Sequence, residues 1–551
     1  MPEICLPPRR VNLPMLTRSL LVGAFALSLN ALAGTPPNIV LLLADDWSFS
    51  DVGAFGGEIP TPNLDALAAQ GTRFTNFHVA ASCAPTRAML MTGVDNHRNG
   101  VGNMPETMPD EHAGKPGYLG VLDHNVVTVA SLLRKSGYHT YMAGKWHLGH
   151  EAYNLPPARG FERSLIQADS GSDNWEMRPY LMLKPDVYWY EEGQRIYALP
   201  EDYYSSTFFI DTAIKQIESN RGNDSRPFFS YVAFQANHIP LQAPRAFVEK
   251  QHGKYDQGWD ALRETRRKNA IAQGVIPDGA AMKRMPTTTD WNALSESDKA
   301  YQARRMEVYA AMAEAMDHEV GRLIGYLKRI GAYENTVFIF LSDNGAEASD
   351  PYAVTLSRWW LDWNYDRSLE RLGGKGAYAI LGPSWASAAA SPLATCKFYA
   401  GEGGLRVPFI ISGPGLPANN QIQHSFAFVT DIAPTLLDLA GVPHPTLAAN
   451  SQPIEPMTGQ SLVPVLRGES TTVYPSIQPV GYELSGNAAL FKGDYKLLKN
   501  LPPMGDNAWH LYNIQSDPGE TEDLKSLESE RFKDLQQDYE NYAHAFGVLP
   551  I

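Results

Sequence analysis

The 551-residue sequence is poor in cysteine, with only Cys5, Cys83 and Cys396. Three cysteines provide no framework of disulfide bonds, and a reactive role for either of the last two would exclude a bond between them. The sequence also lacks repeats and low-complexity tracts. Its 44 % hydrophobic and 19 % charged residues are ordinary for a globular protein, which at this length is expected to have one large core and a smaller appendage.

Long apolar runs are absent except for one near the N-terminus, at residues 20–32. Three arginines precede this run, and Ala31-Leu32-Ala33 closes it with a small-x-small pattern. These features predict a signal peptide at residues 1–33. The alternative, an N-terminal membrane anchor, needs roughly 20 apolar residues, and this run is shorter. We therefore expect an exported protein, periplasmic or else secreted, with no membrane attachment after cleavage.

An excess of positive charge is missing as well. The formal net charge is −14, and it becomes −16 without residues 1–33, which carry three arginines and one glutamate. This charge argues against nucleic acid as a partner. A protein of this charge that binds an anion needs a local cluster of cations to overcome its own long-range field.

Several apolar segments end abruptly in polar residues. Residues 38–43 form an apolar run typical of a strand buried on both faces of a parallel sheet, and it stops at Asp45-Asp46. Further strands are predicted at 72–79, 138–143, 227–234 and 336–341, and helices at 62–68, 126–135 and about 297–330. The last three of these strands end at Lys145 and His147, at His238, and at Asp343-Asn344. In open α/β sheets the ligand site lies beyond the carboxyl ends of the strands, so we expect these polar residues to converge.

The character of the sequence changes near residue 452. Short alternating strands are predicted there at 481–484, 488–491, 495–498 and 510–512, followed by a helix at 529–545. This pattern predicts a small antiparallel subdomain packed on the main sheet. The predicted domains are therefore the signal peptide at 1–33, a large α/β domain at 34–451 and an α+β subdomain at 452–551.

Two short segments resemble the signatures of the sulfatase family. Residues 82–93 match its C-x-P-x-R signature, extended by a Thr-Gly, and Gly144-Lys-Trp-His-Leu-Gly149 matches its second signature. The same pattern continues at 44–46, 49–51, 53–57, 343–345, 402–408, 511–514, 517–520 and 523–524. The resemblance covers nearly the whole chain after the signal and is closest to the formylglycine-dependent bacterial arylsulfatases. It implies the fold of the alkaline phosphatase superfamily, a large mixed, mostly parallel sheet flanked by helices, with a smaller C-terminal antiparallel sheet.

The resemblance implies that Cys83 is oxidised to formylglycine (3-oxoalanine) by a formylglycine-generating or an anaerobic maturation system. One oxygen of its hydrate would attack sulfur to give a sulfated covalent intermediate, and the second would then release sulfate, which splits the hydrolysis into two easier steps. Pro85 suits the first turn of a helix, so residue 83 is expected near a helix N-terminus, where an anion is favoured. Without the resemblance, a lone cysteine is usually a small buried hydrophobe.

The metal ligands implied by the resemblance are Asp45, Asp46, Asp343, Asn344 and residue 83, the modified Cys83. These are hard oxygen donors, which suits Ca²⁺, with Mg²⁺ as second choice. Without the resemblance, an Asp-Asp pair is also compatible with a helix cap, and Asp-Asn-Gly with an ordinary turn.

The resemblance further implies that Arg87, Lys145 and Lys397 are cations near the sulfate. Lys397 is assigned by its spacing of five residues from Glu402, and Lys375 is the alternative. Without the motifs, most lysines and arginines are solvated surface residues.

His147 and His238 are the candidates for proton transfer, because imidazole titrates near neutral pH. By resemblance, His238 donates a proton to the leaving-group oxygen and His147 contacts the hydrated aldehyde. Asn237 and Ile239 flank His238 where many relatives have proline and an aromatic residue, so the shape of the pocket is expected to differ.

The predicted activity is hydrolysis of small-molecule sulfate monoesters, with aryl sulfates preferred, to a phenol or alcohol and inorganic sulfate. An aromatic-rich segment at 351–400 either walls a pocket for the leaving group or packs as core. Alternatives are a phosphonate or phosphate ester hydrolase of the same superfamily, a non-catalytic protein that binds sulfated ligands, and an exported scaffold.

Overall fold

A computed structural model describes residues 36–182, 184, 186–222, 224–445 and 454–551. The predicted signal peptide at 1–33 and the predicted domain boundary at 451/452 lie outside these residues, so both stay predictions. Among the residues described, no helix is long and apolar enough to cross a membrane.

The strands are β1 Asn38–Ala44, β2 Thr72–Phe74, β3 Phe77–His78, β4 His139–Lys145, β5 Arg163–Gln167, β6 Trp189–Glu191, β7 Gln194–Ile196, β8 Phe228–Ala233, β9 Thr336–Ser342, β10 Phe409–Ser412, β11 Gln421–Gln423, β12 Ala427–Phe428, β13 Val480–Leu484, β14 Asn487–Lys492, β15 Tyr495–Lys499 and β16 His510–Asn513. The helices are α1 Pro62–Ala69, α2 Cys83–Thr92, α3 Val129–Lys135, α4 Ser205–Asn220, α5 Arg245–Gln251, α6 Gly258–Ala272, α7 Glu296–Arg329, α8 Thr355–Asn364, α9 Pro383–Ala389, α10 Glu402–Leu405, α11 Ile432–Ala440, α12 Val463–Leu466 and α13 Ser529–Phe546.

Ten of these strands form one mixed sheet in the order β11-β2-β10-β9-β1-β8-β4-β5-β6-β7. The five central strands, from β9 to β5, run parallel, whereas β10, β6 and β7 pair in antiparallel fashion. A separate antiparallel sheet, β13-β14-β15-β16, lies at the C-terminus. The predicted fold class, a large, mostly parallel sheet with a smaller antiparallel one, is confirmed.

The central strands are apolar because both faces of the large sheet are covered. On β1, Val40 and Leu42 belong to one core with residues of α4 and α7, such as Met312. The alternate residues Ile39, Leu41 and Leu43 belong to a second core with residues of α2, α3 and α11. These two helical layers cover both faces of the sheet and leave its carboxyl edge free for polar side chains.

Two predicted elements differ from the structure. The strand predicted at 72–79 is two strands, because β2 pairs with β10 and β11 while β3 pairs with β12 in a separate two-stranded sheet. The helix predicted at 126–135 begins at Val129, because the Thr128 hydroxyl accepts a hydrogen bond from the Ser131 amide and ends the extended segment there.

Candidate active site

Polar side chains from four parallel strands meet at the carboxyl edge of the large sheet. Asp45 and Asp46 follow β1, Asp343 follows β9, Lys145 ends β4, and His238 follows β8. The predicted convergence is therefore present in the structure. The other predicted site residues, His147, Asn344, Cys83, Arg87 and Lys397, lie in the same cluster or border it.

Three carboxylates and a thiol form the centre of this cluster. One ligand atom each of Asp45, Asp46, Cys83 and Asp343 lies within 4.8 Å of the others, and all four residues are fully buried. Asp46 has a left-handed backbone (φ 63°), which turns its carboxylate into the cluster, and its amide donates to Asp343 Oδ1 at 3.3 Å.

Two oxygens of this cluster lack a partner among the described residues. Asn344 Nδ2 donates to Asp46 Oδ1 at 2.6 Å, but Asn344 Oδ1 and Asp46 Oδ2 are buried without a hydrogen bond. Burial raises the pKa of Asp45, and burial raises the pKa of Asp46 to about 7. Burying ionised carboxylates is unfavourable unless a positive charge compensates them. These carboxylates, together with the unpaired amide oxygen of Asn344, therefore fit a hard divalent cation.

Cys83 is the first residue of α2, as the position of Pro85 predicted. Ser82 before it is extended (φ −159°), and the helix continues to Thr92. The Cys83 Sγ lies 3.6 Å from Asp45 Oδ1. Burial, assisted by the charge of Asp343, raises the pKa of the Cys83 thiol well above its usual value.

Three buried cations surround the carboxylates. Arg87 donates from Nε and Nη2 to Asp343 Oδ2, at 2.9 and 2.7 Å, and from Nη1 to the Lys145 carbonyl at 2.8 Å. Lys145 Nζ donates to Asp45 Oδ2 at 2.6 Å. Burial alone would raise the pKa of Asp343, but the charges of Arg87, Lys145 and Lys397 together lower it, so this carboxylate is ionised.

Lys397, rather than Lys375, lies in the cluster. Lys397 Nζ is 2.8 Å from Asp46 Oδ1 and 3.1 Å from Glu347 Oε2, and its side chain is buried. Lys375 is more than half exposed and pairs with Glu176 at 3.4 Å. Glu347 was missed from the sequence, although it lies only five residues beyond the end of β9 and the argument from strand ends applies to it as well.

The charges of the cluster nearly cancel. The four carboxylates of Asp45, Asp46, Asp343 and Glu347 face the three cations of Arg87, Lys145 and Lys397. The fully ionised protein groups thus carry one excess negative charge. A bound divalent cation converts this excess to one positive charge, which suits an anionic ligand.

His238 is buried beside Asp46, with a defined pattern of hydrogen bonds. Its Nδ1 donates to the Ile239 carbonyl at 2.7 Å, and its Nε2 lies 3.9 Å from Asp46 Oδ2. Burial lowers the pKa of His238 well below its usual value, and the charge of Lys397 lowers it further. The imidazole is therefore neutral, with its proton on Nδ1 and a lone pair on Nε2.

His147 follows β4 with a left-handed backbone (φ 57°). Its Nε2 contacts Glu106 Oε2 at 3.1 Å, and Nδ1 is buried without a partner in the part of the chain that the structure describes. Burial lowers the pKa of His147 to about 4, in spite of the opposing charge of Glu106. Because Lys184 also binds Glu106, this carboxylate stays ionised and holds the His147 proton on Nε2.

Glu106 is thus a positioning residue for His147. We expect Glu106→Ala to lower kcat by about 10- to 100-fold while KM changes little, because the imidazole loses its fixed tautomer. Glu106→Gln should recover part of this loss, since its amide oxygen still accepts from Nε2. Glu111→Ala, an exposed change in the same loop, is the control. A normal kcat in Glu106→Ala would contradict this role.

The aromatic-rich segment is divided between core and surface. Tyr365 and Tyr378 pack in one cluster with Tyr180 and Ile239, and the Tyr180 ring contacts the His238 ring edge-on at 5.4 Å. Trp385 is buried in the main core, and Trp360 is partly buried against the tyrosine cluster. Trp359 and Trp363 of α8 are exposed. Part of this segment therefore supports the residues around His238.

Comparisons with known proteins identify the family of the chain. A family model described as Sulfatase matches residues 37–442, and one described as N-sulphoglucosamine sulphohydrolase, C-terminal, matches residues 397–544. An uncharacterized sulfatase of Schizosaccharomyces pombe is 37 % identical over 528 residues, covering 93 % of this chain and 94 % of the relative. An arylsulfatase of Klebsiella aerogenes is 36 % identical and covers 77 % of this chain and 91 % of its own.

Solved structures share the fold at lower identity. The crystal structure of Ps i-CgsB has a TM-score of 0.65 at 23 % identity, covering 92 % of this chain and 93 % of that chain. A structure solved with its substrate D-glucosamine-2-N,6-O-disulfate has a TM-score of 0.61 at 21 % identity, covering 93 % and 98 %. With a family match across most of its length and two relatives above 35 % identity, the chain belongs to the sulfatase family and is a sulfuric ester hydrolase.

Proposed function

We propose that this sulfatase is an arylsulfatase, which hydrolyses sulfate monoesters of phenols with residue 83 as nucleophile after oxidation of Cys83 to formylglycine. The observation that carries the aryl preference is the state of His238. A neutral imidazole with its proton on Nδ1 has no proton on Nε2 to give to a leaving group, so the proton-donor role expected for His238 from the resemblance is not part of this proposal. A phenol, with a pKa of about 10, leaves without much help, whereas an alkyl alcohol is nearly as weak an acid as water.

The state of the Cys83 side chain supports the modification. A thiol whose pKa is raised by burial stays protonated at neutral pH and is a poor nucleophile. Formylglycine, as its hydrate, supplies at this position a nucleophilic oxygen that does not depend on a thiolate. Residue 83 lies at the first turn of α2, where the helix dipole and free amides favour the anionic sulfate group.

The proposed cation ligands are Asp45, Asp46, Asp343, Asn344 and residue 83, with Ca²⁺ preferred over Mg²⁺. A bound divalent cation supplies positive charge that draws electron density from the ester oxygens. Arg87 fixes the Asp343 carboxylate, and Lys145 and Lys397 hold their ammonium groups against Asp45 and Asp46. These residues are thereby oriented before the substrate binds, which lowers the cost of reorganisation during the reaction.

The charge of the site favours sulfate over phosphate monoesters. With a divalent cation the cluster carries one excess positive charge, which one sulfate monoester anion neutralises. A phosphate monoester carries up to two negative charges at neutral pH and would leave the buried site with a net negative charge. The phosphate or phosphonate hydrolase is therefore the second candidate. A protein that only binds sulfated ligands would leave His147, held in one tautomer by Glu106, without a role.

The test compares leaving groups at one reaction centre. We expect the purified protein with Ca²⁺ to release sulfate from 4-nitrophenyl sulfate, and to act at least about 100-fold more slowly on a primary alkyl sulfate, the range that general acid catalysis commonly supplies. Release of sulfate is measured by ion chromatography for both esters, with 4-nitrophenyl phosphate as the comparison. Equal rates for the aryl and alkyl sulfates would overturn the aryl preference, and faster hydrolysis of the phosphate would favour the second candidate.

A further inference from the structure

A cavity of about 410 Å³ lies directly beside His147. His147 itself lines it, and the side chain of this histidine is only 3 % exposed, with Nδ1 lacking a partner among the described residues. Lys184, which binds the other carboxylate oxygen of Glu106, lines the same cavity. The cavity thus adjoins a proton-transfer residue and is large enough for a ring-sized group.

The wall of the cavity is connected to the second histidine as well. Lys184 Nζ donates to Ser170 Oγ at 3.0 Å, and Ser170 Oγ lies 2.6 Å from Tyr180 Oη. Tyr180 in turn contacts His238 edge-on. Hydrogen bonds therefore run from His147 through Glu106, Lys184 and Ser170 to Tyr180, whose ring packs against His238.

The lining is strongly acidic. Four carboxylates border the cavity against the single ammonium of Lys184, and they are those of Glu106, Glu151, Asp169 and Asp186. Glu106 is neutralised by Lys184, and Asp186 binds Arg195 at 2.5 Å. Among the described residues, Asp169 has one ion-pair partner, His150 at 3.5 Å, and Glu151 has none. The uncompensated charge facing the cavity is negative.

A flat aromatic face completes the wall. The rings of His150 and Tyr188 stack with centroids 4.6 Å apart, and the Arg195 guanidinium lies 4.3 Å from the Tyr188 centroid. Because His150 and Arg195 cover the two faces of Tyr188, the wall offers a ligand the edge of Tyr188 and the outer face of His150, both held in place by these contacts.

We propose that this cavity is the subsite for the alcohol or phenol part of the ester, and that its carboxylates restrict this part to neutral or cationic groups. The inference rests on the proposed function and narrows it to monosulfated esters, because a second sulfate or a carboxylate on the same molecule would face Glu151 and Asp169 across the cavity. Repulsion between these carboxylates and a second negative charge on the ester lowers the affinity for that ester, most of all at low ionic strength.

The test uses three phenyl sulfates whose para substituent is a two-carbon chain ending in a carboxylate, a carboxamide or an ammonium group. The spacer keeps the phenols nearly equal in acidity, so differences report on charge. We expect kcat/KM for the carboxamide to exceed that for the carboxylate by about tenfold at low salt, and the ammonium ester to equal or exceed the carboxamide. This difference should shrink in 0.5 M salt.

Two variants connect the charge preference to the cavity. Glu151→Gln and Asp186→Asn should each reduce the carboxamide-to-carboxylate ratio of kcat/KM by about threefold. Glu151→Gln removes one negative charge, and Asp186→Asn removes another and also leaves the charge of Arg195 without its partner. Glu530→Gln, an exposed change on α13, should leave the ratio unchanged. The subsite would be overturned if the parent protein hydrolysed the carboxylate and carboxamide esters with equal kcat/KM. It would also be overturned if neither cavity variant changed the carboxamide-to-carboxylate ratio. If none of the three esters released sulfate, the proposed function would instead be overturned, and this inference with it.

Discussion

Replacing Cys83 by alanine is expected to abolish sulfate release, with a loss of about 10⁴-fold or more, and to leave the protein folded. The loss is large because no other side chain in the cluster can supply the nucleophile, and loss of a covalent nucleophile costs most of the rate enhancement. The fold should persist because Cys83 is a small residue in the first turn of α2, and among the described residues its side chain makes one long hydrogen bond, to Asp45. Sulfate release and thermal unfolding of the variant provide the two measurements.

The other cysteine of the described residues, Cys396, is the matched control. Cys396 is buried among Met285 and Ala390 and lies outside the carboxylate cluster, so Cys396→Ala should keep activity within a few-fold. Mass spectrometry of tryptic peptides from the active protein should show the residue 83 peptide lighter than its thiol form, and the Cys396 peptide unmodified. A fully active preparation whose residue 83 is an intact thiol would refute the formylglycine mechanism.

The convergence of the site was predictable because it follows from a rule of parallel sheets. Asp45-Asp46, Lys145, His238 and Asp343 each follow an apolar strand, and parallel strands end at the same edge. The register of β1 against β8 and β9 then brings these side chains within contact distance. The strands determine where these side chains lie, whereas their catalytic and metal-binding roles were assigned from the resemblance to the sulfatases.

Residues in irregular segments were not predictable in this way. Glu106 lies in a short turn at residues 105–107, and Tyr180 in a loop, so neither has a periodic pattern that would indicate its neighbours. Their contacts with His147 and His238 depend on how long loops fold over the sheet, which is a tertiary property. Glu347 could have been found, because it follows β9 closely.

Removal of the divalent cation is expected to abolish activity and to make stability depend on pH. Burial raises the pKa of Asp46 from 3.8 to about 7, so the chelated protein is most stable with this carboxyl protonated, below about pH 4, and loses that stability as the pH rises through 7. A shift of this size corresponds to a few kcal/mol. Thermal unfolding between pH 5 and 8 should therefore show a falling midpoint in chelator and a nearly constant one in Ca²⁺. Full activity after exhaustive chelation would remove the cation from the proposed function.

Asp46→Asn separates the charge of this side chain from its shape. The asparagine oxygen can still accept from Lys397 Nζ and from Asn344 Nδ2, the two partners of Asp46 Oδ1, and asparagine tolerates the left-handed backbone at this position. The new amide nitrogen takes the place of Oδ2, which has no partner among the described side chains. We therefore expect the chelated variant to be more stable than the chelated parent at pH 8, by about 1–3 kcal/mol, because a buried charge is gone. The same change removes a ligand, so Ca²⁺ should stabilise the variant less and activity should fall by at least about 100-fold.

The opposite result would count against a bound divalent cation. If Asp46→Asn destabilised the chelated protein at pH 8, Arg87, Lys145 and Lys397 would be sufficient to balance the buried carboxylates. The excess negative charge of the cluster would then no longer indicate a divalent cation.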